Sequence, residues 1–264
     1  MTVRGWLLVA LCAVETGCAM PVAPPPSAVP PPAAPPPAAA PPAVATPLPA
    51  APALPLAAPP PPLPGAISGQ LLLLGTDGKT TAAADAVVWV PDLPARPPPA
   101  PPSMASKAKS FAPHVIAVER GGTVFFPNLD RIYHNVFSST AGQAFDLGLY
   151  RNGASRSRRF DAPGLVAVYC NIHAKMAGYV RVVEGAWTTT DAAGRFRIPE
   201  VAPGRHSVHV WHERTGEREV ATLVRSARAA DVHLTLDASR FRPLAHRNKH
   251  GQDYPPATLD DDRY

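Results

Sequence analysis

The 264-residue chain holds 36 prolines and 25 Lys/Arg against 20 Asp/Glu, for a formal net charge of +5. So many prolines cannot lie inside packed strands and helices, so much of the length is linker and the remainder suits two modest domains. The basic residues are scattered rather than interleaved with aromatics, which argues against a nucleic-acid surface.

In chain order, residues 1–20 read as an export signal. Arg4 is followed by a nine-residue apolar run over 6–14, too short to span a bilayer but suited to a signal core. Thr16-Gly17-Cys18-Ala19 admits two outcomes. Cys18 becomes a lipidated first residue, as in bacterial lipoproteins, although Glu15 stands where that motif has an aliphatic residue; or cleavage follows Ala19. Both place the mature chain in the periplasm or on the cell surface of a bacterium. Residues 21–65 contain 21 prolines, mostly among alanines. Such a tract favours extended polyproline II at about 3.1 Å per residue and reads as a spacer. A docking site for proline-recognising modules is the competing reading, weakened by the alanines.

The folded part begins with an apolar strand over 67–74 and a turn at Gly75-Thr76-Asp77-Gly78. A second strand spans 86–90, and seven prolines between Pro91 and Pro102 then form a loop over 91–103. Two strands bury no core by themselves. Candidate partners come much later, over 189–198, 201–211, 219–224 and 231–236. Thr190-Asp191-x-x-Gly194-x-Phe196 and Pro203-Gly204-x-His206 resemble the transthyretin-like, carboxypeptidase regulatory-like family. The resemblance implies one small antiparallel β-sandwich of about six strands, split into 66–90 and 186–237. Residues 104–185 are then an inserted domain, and 238–264 a disordered tail.

The insert has its own strand pattern over 114–118, 123–126, 134–137, 165–170 and 179–183, so the fold class is all-β throughout. Cys12 and Cys18 lie in the signal region, leaving Cys170 as the one thiol of the folded part, without a disulfide framework. Cys170, His173 and Met176 stand three residues apart between two apolar strands, and His134 offers a second imidazole from another strand. A thiolate, two imidazoles and a thioether select copper over zinc, which rarely takes Met, and over magnesium or calcium, which want oxygen. A buried unreactive cysteine is the plainer alternative, and an isolated Cys-x-x-His occurs commonly by chance.

The order of parts resembles the cupredoxins: Gly121-Gly122, Phe126-x-Asn128-x-Asp130, His134-Asn135-Val136-Phe137, Phe160-Asp161-Ala162-Pro163-Gly164, then Tyr169-Cys170 and the loop. The Cys-x-x-His-x-x-Met spacing is most similar to that of the amicyanins. The resemblance implies a Greek-key sandwich binding one Cu(I)/Cu(II) ion through His134, Cys170 and His173, with Met176 as weak axial ligand. It also implies that Asn135 tethers the ligand-bearing segments and hydrogen-bonds near the sulfur. Electrons would pass at an apolar patch of Ile172, Ala174 and Ala177 around His173, ringed by Lys175, Arg131 and Arg181.

The function read from this is an exported blue copper protein that passes single electrons to a redox protein, such as a c-type cytochrome or a dehydrogenase. Copper trafficking or storage, and a surface structural or adhesion role, are the rival readings. An enzyme is not expected. Tyr169 and Asn171 flank the cysteine, where histidines would wire a second copper, and a Cys-His hydrolase would need an exposed nucleophile. His206, His209 and His212 alternate across one strand and cannot form a three-ligand cluster; with His246 and His250 they read as structural or solvated.

Overall fold

The computed structural model describes residues 61–96, 98, 100–243 and 246–254. The expected signal segment, its Cys18 and most of the Pro/Ala-rich linker lie outside these residues. Among the described residues the chain is all-β, with seventeen strands and no helix. The first stretch supplies β1 (Gly65–Leu74), β2 (Thr80–Ala82) and β3 (Val87–Val90). The middle supplies β4 (Ala105–Lys107), β5 (Ser110–Ala112), β6 (Val115–Glu119), β7 (Thr123–Pro127), β8 (His134–Ser138), β9 (Phe145–Tyr150), β10 (Ser155–Arg159), β11 (Gly164–Tyr169) and β12 (Ala177–Val183). The last stretch supplies β13 (Ala186–Thr189), β14 (Arg195–Val201), β15 (Gly204–His212), β16 (Gly216–Val224) and β17 (Ala229–Asp237).

The first and last stretches share one core. β1 pairs antiparallel with β14 and β2, and parallel with β17. A second sheet runs β13-β3-β15-β16. Alternate residues of these strands, among them Ile67, Leu71, Val88, Val90, Phe196, Ile198, Val208 and Val210, meet between the two sheets. The turn before β14 shows why its sequence is Thr-Asp-x-x-Gly. Buried Thr190 donates its hydroxyl to the Ala83 carbonyl (2.6 Å) and accepts the Ala86 N–H (2.9 Å), which binds the turn to the segment between β2 and β3. The Asp191 carboxylate accepts the N–H groups of Ala193 and Arg195. Gly194 takes a left-handed φ of +74°, where an added Cβ would lie 2.2 Å from the Leu71 carbonyl oxygen.

The middle stretch builds a second core. A five-stranded sheet runs β6-β12-β11-β8-β9, faced by the β10-β7 pair and the β4-β5 hairpin. Phe126, Val136, Tyr150, Phe160, Val166, Val168, Val180 and Val182 pack between them, together with Cys170 and Met176.

A third cluster joins the two cores. β3 is buried on both faces: Val88 and Val90 face the first core, while Val87 and Trp89 pack with Val115, Ala117, Val183 and Trp211. Each such side chain, taken out of water, contributes about 1.5–3 kcal/mol. Arg181 closes the seam, its guanidinium 4.4 Å from the Trp89 ring centroid and 2.7 Å from Glu217. Arg181 is therefore committed to this contact and does not ring His173.

The strand edges differ from those read in the sequence. β9 and β10 were not visible as strands because β10, Ser-Arg-Ser-Arg-Arg, is exposed at every position and carries no alternation. Residues 246–254, expected to be structureless, pack against the second core through hydrogen bonds and a ring stack of His246 on Tyr169.

His114 and Glu213 bridge the seam with a 2.6 Å contact, with side chains 43% and 27% exposed. The Glu213 hydrogen bond raises His114, against its partial burial, and the same bond lowers Glu213. The histidine contribution is complete below its unfolded pKa of about 6.5 and is lost as pH rises through its raised folded value. The glutamate contribution is present above about 4.3 and lost on acidification through its lowered value. Glu213→Gln is therefore expected to cost about 0.5–1 kcal/mol near pH 5.5 and little near pH 9, read by thermal unfolding of the metal-free chain.

Candidate metal centre

The centre forms where β8 begins and β11 ends. Tyr169 pairs with Phe137 across these strands, which sets the residues flanking them side by side. After Cys170 the chain turns at once. The Met176 N–H donates to the His173 carbonyl (3.0 Å), and the Cys170 N–H donates to the Met176 carbonyl (3.1 Å). This closed turn aims the Cys170 and His173 side chains at the start of β8. Cys170 Sγ lies 3.4 Å from His173 Nδ1 and 3.8 Å from His134 Nδ1. The two imidazole centroids are 4.7 Å apart.

These separations fit a shared ion. With about 2.3 Å to sulfur and about 2.0 Å to nitrogen, a metal holds S and N about 3.5 Å apart at tetrahedral angles and about 3.7 Å apart at trigonal ones. Among the described residues, His134, Cys170 and His173 form the candidate metal group. Cys170 and His134 are fully buried, and His173 is 9% exposed. Met176 is 1% exposed in the same core cluster as Cys170.

Electrostatics agree with a cation there. Burial pushes the Cys170 thiol up, and the backbone N–H groups of Asn135, Ile172 and His173 aimed at its sulfur only partly oppose this. A buried thiolate needs a positive partner, and a metal ion supplies one. Burial likewise holds His134 below its ordinary value, against Asp130, which keeps its imidazole neutral and able to ligate.

Asp130 is the residue that sequence reading missed. Its Oδ2 lies 2.8 Å from His134 Nε2 and accepts the Lys109 N–H (2.9 Å), while Oδ1 accepts the Ala108 N–H (2.7 Å). Burial would raise Asp130, but these donors and His134 together hold its carboxyl below the usual range. An ionised carboxylate only accepts, so His134 carries its proton on Nε2 and presents the Nδ1 lone pair to the sulfur side. Buried Asn128 shapes this loop, donating to the Ile132 and Tyr150 carbonyls and accepting the Asp130 N–H. The Phe-x-Asn-x-Asp run carried the signal, since its two polar residues bracket a bend four residues before the histidine.

Asn135 sits differently from its expected place. Its backbone N–H supports the sulfur, but its side-chain amide donates to Asp146 Oδ1 (2.6 Å) and the Gly148 carbonyl (3.0 Å) on β9. It does not cross to the ligand loop. On the outer face, Ala174 and Lys175 are exposed, whereas Ile172 and Ala177 are half-buried. Of the other histidines, His206 is held by Asp92 (2.7 Å), His209 stacks on Trp89, and buried His212 accepts the Arg214 N–H.

No family model matches this chain, and no curated protein matches it. Solved structures do. A Cu-containing nitrite reductase from Thermus scotoductus is 26% identical over 33% of this chain and 23% of its own, with a TM-score of 0.31. The chain thus spans under a quarter of that protein's length. Amicyanin from Paracoccus versutus is 20% identical over 32% of this chain and 83% of its own, at a TM-score of 0.30. A purple cupredoxin from Nitrosopumilus maritimus is 22% identical over 31% of this chain and 98% of its own, at 0.28.

Asp130→Asn replaces the carboxylate with an amide that can turn either N–H or C=O toward His134. Metal affinity is expected to fall about 10- to 100-fold, measured by competition with a chromophoric chelator. An unchanged affinity would show that Asp130 does not orient the imidazole.

Proposed function

We propose that this chain is an exported copper protein of the cupredoxin type that carries single electrons between redox partners. The observation that carries the reading is a fully buried Cys170 thiol flanked by two imidazole Nδ1 atoms at 3.4 and 3.8 Å. Such a donor set, with a thioether in the same core, suits copper better than any hard cation. A bound copper ion would supply reversible one-electron chemistry.

The chain's own residues supply the rest. His134, Cys170 and His173 are the strong ligands and Met176 the weak one. Asp130 fixes the His134 ring, and the turn closed between Cys170 and Met176 fixes the other donors. Donors held in place by the fold move little when the ion changes charge, which favours fast transfer over storage. The same donors would also hold Cu(I), so trafficking is the second reading, separated by redox cycling. Catalysis by this chain alone is not proposed.

The scaffold formed by β1–β3 and β13–β17 is assigned to the transthyretin-like class on its Thr-Asp-x-x-Gly-x-Phe turn, with the copper module inserted between its halves. Localisation in the periplasm or at the cell surface rests on residues 1–20. Among the described residues no helix is long and apolar enough to cross a membrane. The partner is assigned as an acidic redox protein, such as a c-type cytochrome or a dehydrogenase, docking at Ala174 and Lys175 beside Ile172 and Ala177. Between Met104 and Glu184 there are ten Lys/Arg against five acids.

Cu(II) added to the purified chain is expected to give an intense cysteine-to-copper absorption band and a matching paramagnetic resonance spectrum, both lost in Cys170→Ser. A chain without that band is not a blue copper protein. Electron transfer with an acidic partner is expected to slow as ionic strength rises past about 0.1 M, where the screening length is about 10 Å. Rates indifferent to salt would remove the steering argument.

A further inference from the structure

The C-terminal segment behaves as a specific structure rather than a trailing end. Its turn is self-closed. Asn248 Oδ1 accepts the N–H groups of His250 (2.9 Å) and Gln252 (3.0 Å), and the Asn248 N–H donates to the Gln252 carbonyl (2.9 Å). Gly251 sits at a left-handed φ of +76°. Arg247 and Asp253 pair across its base at 3.4 Å.

Three residues of this segment reach the three consecutive residues around the candidate copper thiolate. The His246 ring stacks on Tyr169 at 4.2 Å with a 21° interplanar angle. The Tyr254 hydroxyl donates to the Cys170 carbonyl (2.7 Å). The Lys249 N–H donates to Asn171 Oδ1 (2.9 Å). Tyr254 has one hydroxyl proton and the carbonyl has none, so the His246 Nδ1–H, 3.2 Å away, donates to the Tyr254 oxygen.

The same segment also reaches the other ligand strand. Lys249 Nζ lies 2.7 Å from Asp146 Oδ2, and Asp146 Oδ1 accepts the amide of Asn135, the residue next to His134. A charge-assisted bond at that distance is short and directional. Lys249 therefore spans from the Cys170 side to the His134 side, the crossing that the Asn135 side chain does not make.

We infer that Tyr254 and Lys249, presented by the turn over 246–254, form a clamp on the metal centre, positioning residues that hold Cys170 and the two ligand-bearing segments in register. This rests on the copper reading for its effect on the ion, but the clamping of Cys170 is a property of the metal-free chain as well. Tyr254 acts through the Cys170 carbonyl, fixing the peptide that carries the thiolate. Lys249 ties the two sides together, so both donors are restrained before any ion arrives.

The test uses the full-length chain with Tyr254→Phe, Lys249→Met and the double variant, and His250→Ala as a control in the same segment. Tyr254→Phe keeps the ring and removes only the hydroxyl. Copper release to a competing chelator is expected to quicken about tenfold in each single variant and further in the double, with a displaced reduction potential and a shifted thiolate band. In the metal-free chain the Cys170 thiol is expected to react faster with an alkylating reagent, while His250→Ala matches wild type in every measurement. A wild-type chain with the cysteine-dependent band, whose clamp variants leave potential, copper release and thiol reactivity unchanged, would overturn the clamp. A wild-type chain without the band, but with faster alkylation in the variants, would overturn the copper reading and leave the clamp standing.

Discussion

A buried sulfur with two imidazole nitrogens beside it is the constraint on which the rest of this structure depends. Burial alone favours the neutral thiol, and three backbone N–H groups only partly oppose that. The sulfur can ionise there only beside a positive charge, which a bound cation would supply. Every neighbour is set to keep the three donors from turning away. Asp130 fixes one ring, the turn from Cys170 to Met176 fixes the other, and Asn128 fixes the loop from which Asp130 reaches in. The arrangement is nested: a backbone turn holds a carboxylate, which holds an imidazole, which faces the sulfur.

Precision of that kind needs a stiff support, and the seam between the two cores provides it. β3 has no solvent face, so it cannot shift relative to either sheet without exposing Val88 and Val90 on one side or Val87 and Trp89 on the other. β6 and β12, which lie against it, are also the strands that flank β11, directly or through one neighbour. β11, which ends just before Cys170, is thus next to a strand of the seam and packs Leu165 against it.

Much of this was legible in the sequence, for a definite reason. Strands with one face buried, such as β14 with Phe196 and Ile198 or β7 with Val124 and Phe126, show their alternation directly. The candidate ligands His134, Cys170, His173 and Met176 stood out because soft donors at close spacing are rare by composition and carry a clear chemical preference. Asp130, Tyr254 and Lys249 did not, because each acts through polar hydrogen bonds to backbone atoms or to single side chains. Polar side chains have no period that announces such a bond. The tail, rich in His, Arg, Lys and Asp, reads by composition as solvated chain; the Tyr169 ring, the carbonyl of Cys170, the amide of Asn171 and the carboxylate of Asp146 give residues 246–254 somewhere to bind.

The parallel pairing of β1 with β17 fixes an order of assembly. Residues 66–74 lie beside 229–237, so the first sheet cannot close until residues 229–237 have been made. The strands between Ala105 and Val183 pair among themselves and can collapse earlier, since short loops close at lower entropic cost. The thiol-bearing module can therefore close while β1 still has an open edge. The three candidate donors can therefore be gathered before the frame that carries them is sealed, and residues 246–254, which follow β17, fasten onto Cys170 and Asn171 afterwards.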